Sequence, residues 1–273
     1  MHRTILDNWK LPAKKLAAVT MLYSVFIWPE CTSSVVWAEE RATNATRSAV
    51  KDESDWQFGK LRVQKILFLG NSITLHGPAP LIGWHGNWGM AATSQEKDYV
   101  HLILGKLAAA TGKQSKVHIK NAADFERNFN DYDLAAGFRE ELDFQADVIV
   151  IALGENAVSL NTDELRSQFH TAFTNLLDIF KKQGRPAIFV RGTFWLDEDK
   201  NSIMKKACEE SGGFFVDNSK LGEDEANFAR SERKIDHSGV AGHPGDKGMQ
   251  AIADSIWIEI EKQAKLNDSS IDP

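Results

Sequence analysis

The stretch Gln64-Lys65-Ile66-Leu67-Phe68-Leu69-Gly70-Asn71-Ser72-Ile73-Thr74 decides the fold. Its first part is an apolar run that stops at a glycine, the form taken by a strand buried on both faces. Such strands lie in parallel sheets, and parallel neighbours need crossover connections, so helical segments should alternate with further runs of this kind. They do. Residues 99–107 place Val100, Ile103, Leu104 and Leu107 on one helical face, and residues 117–119 form a short second strand. Residues 147–153 form the clearest strand, between Asp147 and Gly154. Asn161 with Glu164 resembles a capping pair, followed at helical spacing by Leu165, Phe169, Phe173, Leu176 and Phe180. Residues 186–191 and 213–217 supply a fourth and a fifth strand, and a last helix buries Met249, Ile252, Ala253, Ile256 and Ile260. The fold class is α/β: a mainly parallel, five-stranded sheet covered on both faces. Ligands of such sheets bind at the carboxyl ends of the strands, so the loops after Leu69, Ile119, Leu153 and Arg191, and the loop before the last helix, should carry the function.

The rest of the chain bounds the reading. With 273 residues, 42% hydrophobic and 26% charged, it fits one sizeable domain, and its formal charge of −6 without a Lys/Arg stripe excludes nucleic acid as a natural partner. Arg3, Lys10, Lys14 and Lys15 lead into an apolar run over residues 16–28, and Val36-Trp37-Ala38 suits cleavage after Ala38. The expected organisation is a signal peptide over 1–38, a polar linker over 39–59, a domain over 60–266 and a tail over 267–273. The mature protein would be secreted or periplasmic and free of the membrane; an uncleaved N-terminal anchor is the alternative. Cleavage removes Cys31 and leaves Cys208, without a disulfide partner, in a helix.

Three rim loops carry chemistry. Ser72 leaves the first strand at a strand-to-helix turn, where a hydroxyl can stand near backbone N–H groups, although a serine there is also an ordinary helix cap. Asn156, in Gly154-Glu155-Asn156, can donate a side-chain N–H to a developing oxyanion or simply make a turn. His243, in Gly242-His243-Pro244-Gly245-Asp246, can serve as the base that takes the serine proton.

With those residues in hand, the chain resembles the SGNH (GDSL-type) hydrolase superfamily over roughly residues 65–257. Gly70-Asn71-Ser72 stands for the usual Gly-Asp-Ser block, Gly154-Glu155-Asn156 for Gly-x-Asn, and His243-Pro244 for the last block before a C-terminal helix. The resemblance implies a three-layer α/β/α sandwich and acyl-ester hydrolysis through an acyl-serine intermediate, with no cofactor and no metal. Two departures stand out. Residues 121–126 (Asn-Ala-Ala-Asp-Phe-Glu) lack the glycine that usually supplies an oxyanion N–H, so a bulky Glu126 or Asp124 should reshape the pocket. Val240 occupies the position, three before the histidine, where the family usually has Asp. His243 is then oriented by a backbone carbonyl, by water or by another carboxylate, with Asp236 the better candidate; Asp246 reads as the N-cap of the last helix.

The substrate is expected to contact Asn71, Glu126 and Glu155 near the nucleophile, together with Trp84, His85 and Trp88 on a glycine-rich loop and Trp195 after the fourth strand. Aromatic and polar rim residues suit a glycan ester, and deacylation of a carbohydrate is the expected reaction. Trp84 and Trp88 could instead pin their loop to the domain. A carbohydrate-binding protein without activity, or an O-acyltransferase, remains an alternative on the same scaffold.

Overall fold

The computed structural model describes residues 56–265, all within one compact unit. The signal-peptide and tail readings, and most of the linker, lie outside those residues. A two-stranded antiparallel ribbon, β1 (Gln57–Phe58) and β2 (Leu61–Arg62), comes first. Its Phe58 ring stacks on Trp257 at 5.2 Å, so the end of the expected linker belongs to the domain.

Five parallel strands follow: β3 (Lys65–Gly70), β4 (Lys116–Asn121), β5 (Val148–Ala152), β6 (Ala187–Arg191) and β7 (Phe214–Val216), in the order β4-β3-β5-β6-β7. The helices are α1 (Tyr99–Thr111), α2 (Ala123–Arg127), α3 (Leu134–Gly137), α4 (Arg139–Phe144), α5 (Asp163–Lys181), α6 (Glu198–Glu210), α7 (Ala229–Glu232), α8 (Ser238–Ala241) and α9 (Asp246–Lys265). Successive strand residues point to opposite faces. Leu67, Leu69, Ile149 and Ile151 accordingly pack with Phe169, Phe173 and Leu176 of α5 and with Met204 and Cys208 of α6. Ile66, Phe68, Val148 and Val150 pack with Val100 and Ile103 of α1 and with Ile252 and Ile256 of α9. The result is the three-layer α/β/α arrangement, with both faces of every central strand dry. The strand order reverses direction at β3, so the turn after Gly70 opens at the topological switch point where such sheets bind ligands.

Two helix starts differ from expectation. Thr162, rather than Asn161, caps α5, its hydroxyl accepting from the Leu165 N–H. Asp246 is the first residue of α9 and points sideways, accepting from Thr93 and Lys97. The cap is Glu232, distant in sequence, whose carboxylate accepts the N–H groups of Asp246 (2.9 Å) and Lys247 (2.7 Å). Cys208 is fully buried, and burial pushes its thiol up to about 12, so it stays protonated as a core residue.

Each large apolar side chain buried on α9 contributes roughly 1.5–3 kcal/mol, several times the contribution of one cap. Loss of the cap therefore loosens the first turn without releasing the helix. Glu232→Ala is expected to lower stability to denaturant by about 1 kcal/mol; an unchanged unfolding midpoint would contradict its capping role.

Candidate active site

Each strand end delivers one part of the site. At β3 the chain must turn immediately: a Cβ on Gly70 would lie 1.7 Å from Thr74 Oγ1, so only glycine fits. Beyond it the Asn71 carbonyl accepts from the Thr74 and Leu75 N–H groups (both 3.0 Å), and the Asn71 side chain accepts from the Ile73 N–H (3.1 Å). This local turn leaves Ser72 half-buried at the rim, its carbonyl accepting from Met90 N–H (2.8 Å).

Ser72 Oγ lies 2.8 Å from His243 Nε2. On the other side of the ring, Nδ1 is 2.6 Å from the carbonyl oxygen of Gly239, in the single turn α8. A carbonyl only accepts, so Nδ1 must carry the proton and Nε2 is left with a lone pair that can accept the serine hydrogen. Gly239 therefore fixes the tautomer in the place where an acid would. Asp236 does not: its side chain is 92% exposed and lies 3.7 Å from Lys234, because α8 intervenes and turns the chain away. The Trp195 ring meets the imidazole edge-on at 5.3 Å and donates its N–H to the Gly242 carbonyl (3.2 Å), bracing His243 instead of lining the cavity. Burial, with His76 nearby, lowers the His243 pKa below 6.5, although the Gly239 hydrogen bond works the other way.

Asn156 stands at the end of β5, where Gly154 adopts φ +121°, a conformation for glycine alone. Its amide Nδ2 is held at 2.6 Å by Glu126 Oε2. Glu126 and Glu155 are not pocket residues. Glu126, 1% exposed, also accepts from Gly154 N–H (2.5 Å), from Asn156 N–H (3.3 Å) and from Asn71 Nδ2 (3.1 Å). Glu155 accepts from the same Asn71 amide (2.7 Å), from Phe194 N–H (3.0 Å) and from the fully buried Arg191 guanidinium (2.8 Å). Burial, then the charge of Glu155, raises the carboxyl pKa of Glu126. Asn71 is likewise fully buried, so three residues expected to touch substrate form the floor beneath Ser72.

A cavity of about 460 Å³ contains Ser72, Asn156 and His243, with Asn121, Asp124, Arg127, His76 and His237 offering polar groups. Ile82, His237 and Val240 also line a larger neighbouring cavity of about 820 Å³, where Trp84, His85 and Trp88 are found. Trp84 is 6% exposed and donates to the His76 carbonyl (2.9 Å), while Trp88 donates to that of Ala92 (3.0 Å). Their rings meet edge to face at 5.6 Å, so these tryptophans chiefly pin their own loop. His85 alone of that trio is exposed.

Among the described residues, the cluster with metal-ligating atoms close together is His118, Glu140 and Glu141, on β4 and α4, away from these cavities. Glu141 is already engaged there by His118 (2.9 Å) and Lys120 (3.7 Å). Sequence reasoning missed Gly239, Arg191 and Glu232. Of these only Arg191, a charge ending an apolar strand, left a visible signal.

An acid at position 71 could not donate to two carboxylates and would add a third to the same buried pocket. Asn71→Asp is accordingly expected to lower stability by about 2–4 kcal/mol at neutral pH, read by denaturant unfolding. Wild-type stability in that variant would rule out the bridging role of the amide.

No family model matches the chain, and no curated protein matches it. Solved structures do. A protein named a GDSL-like lipase from Bacteroides ovatus aligns at a TM-score of 0.50 with 17% identity, over 73% of this chain and 99% of that one. A family two carbohydrate esterase from Cellvibrio japonicus aligns at 0.47 with 17% identity, over 74% of this chain but 61% of its own. An acetyl xylan esterase from the rumen bacterium Butyrivibrio proteoclasticus aligns at 0.46 with 17% identity, over 73% and 64%. The chain has the SGNH (GDSL-type) hydrolase-like fold that its rim motifs resemble.

Proposed function

We propose that the protein is a serine ester hydrolase that removes short acyl groups from a carbohydrate. The observation that carries this reading is the 2.8 Å contact between Ser72 Oγ and the unprotonated nitrogen of His243. His243 takes the hydroxyl proton as Ser72 attacks the ester carbonyl, and the tetrahedral oxyanion is held by the Ser72 N–H, the second N–H of the Asn156 amide and an N–H from the first turn of α2. His243 then protonates the leaving alcohol. Water, activated by the same base, attacks the acyl-serine and releases the acid.

A hydroxyl-rich alcohol is supported by the polar wall of Asn121, Asp124, Arg127, His76 and His237. The adjoining cavity offers room for the rest of a sugar chain. Export belongs to the same reading, from the basic and apolar N-terminal residues. No helix among the described residues is long and apolar enough to cross a membrane.

Hydrolysis of an aryl acetate by the purified protein, and of an acetylated glycan panel, tests the reading. Ser72→Ala is expected to abolish turnover and Asp236→Asn to leave it within about twofold, since the histidine is oriented by a carbonyl. Equal rates for wild type and Ser72→Ala would leave only a binding protein. The pH profile adds a second check. Turnover needs neutral His243, and a lowered pKa keeps it neutral into more acidic solution, so the acid limb of kcat/KM should fall below pH 6.5. A limb at or above that value would contradict the base assignment.

A further inference from the structure

Glu126 accepts from Asn71, Gly154 and Asn156, yet it is not among the residues lining the cavity. Its side chain leaves α2, passes beneath the nucleophile turn and reaches the loop after β5. One oxygen gathers the backbone N–H groups of Gly154 and Asn156 and the Asn71 amide; the other takes a single donor, Asn156 Nδ2, at 2.6 Å. A primary amide has two N–H groups and one carbonyl oxygen, and rotation by half a turn exchanges them. An acceptor fixed on one side of Asn156 therefore decides which group faces Ser72. With a carboxylate there, the amide nitrogen is the group held at Glu126, and its second N–H is left for another acceptor. With a donor there, the amide turns over and presents its oxygen, which repels an oxyanion.

We propose that Glu126 is a positioning residue for the oxyanion hole, holding the Asn156 amide with an N–H towards Ser72 and tying that orientation to the nucleophile turn through Asn71. The proposal rests on the hydrolase reading above for its catalytic consequence, but not for its geometry. A purely structural carboxylate would stabilise the β5 loop without selecting the amide's direction. Glu126→Gln separates the two. It keeps the shape, and its amide oxygen can serve the three donors on one side, which leaves its NH₂ facing Asn156.

The test is a double-mutant cycle with Asn156→Ala on an aryl acetate, with unfolding midpoints measured alongside. Glu126→Gln is expected to lower kcat by about 10- to 100-fold with KM within about twofold, and to have little further effect once Asn156 is Ala. Equal losses in both backgrounds, or a loss confined to the unfolding midpoint, would overturn the proposal. If Glu126→Gln fails to fold, Glu126→Asp, which keeps the acceptor but shortens its reach, should show the same kcat-selective loss. A readout independent of turnover is the side-chain ¹⁵N–¹H signal of Asn156, identified by its disappearance in Asn156→Ala. That signal should move in Glu126→Gln. Its persistence at the wild-type position would sink the positioning role, whereas absence of esterase activity in the wild type, with the signal moving as expected, would sink only the hydrolase reading.

Discussion

A carboxylate taken out of water must have its oxygens filled by donors, and the rim of this sheet is arranged around that requirement. Glu126 and Glu155 lie close enough to share the Asn71 amide, and nothing in an apolar core could hold two such groups side by side without compensation. Arg191 neutralises one of them from the end of β6, and the N–H groups of Gly154, Asn156 and Phe194 fill the remaining positions. The turns after β3, β5 and β6 and the helix after β4 are thereby fastened to one another by polar bonds at the level where the apolar layers end. The loops gain fixed positions from a network whose parts would each be unfavourable alone.

The same economy of parts shapes the Ser72–His243 pair. Among the described residues the hydrogen-bond partner behind the histidine is a carbonyl, that of Gly239, and it sets the tautomer as a carboxylate would. What a carbonyl withholds is a full negative charge, so in the proposed hydrolysis the imidazolium would be stabilised less than in a triad. Burial acts in the same direction by favouring the neutral ring. For the proposed reaction this means a base kept free of its proton at rest, at some cost in basicity once attack begins.

How much of this could be read from residues alone follows from what leaves a signature. Central parallel strands are dry on both faces, so β3 and β5 appear as unbroken apolar runs, and their carboxyl ends mark where Ser72 and Asn156 emerge. His243 was legible because it precedes a strongly periodic helix. The group that orients it was not, since a backbone carbonyl has no residue type. Glu126 and Glu155 were misread as facing substrate for a related reason: a charged residue beside a rim motif reads as exposed unless its donors are known, and those come from three separate segments. The capping of α9 by Glu232 is a tertiary contact between residues that a local motif does not connect. The ribbon before β3, two residues per strand, is too short to show alternation.

The loop over residues 76–92 has both its tryptophan N–H groups committed to its own carbonyls, its rings packed against each other, and a glycine at position 86 whose Cβ would strike both indoles. One wall of the larger cavity is consequently rigid before anything enters. A ligand settling there need not restrict a floppy segment, so little of its contact energy is consumed in ordering the protein. The cost of that stiffness is narrowness: ligands that do not match the preset contour cannot be accommodated by remoulding it, which makes shape, more than chemical type, the filter at that end of the cleft.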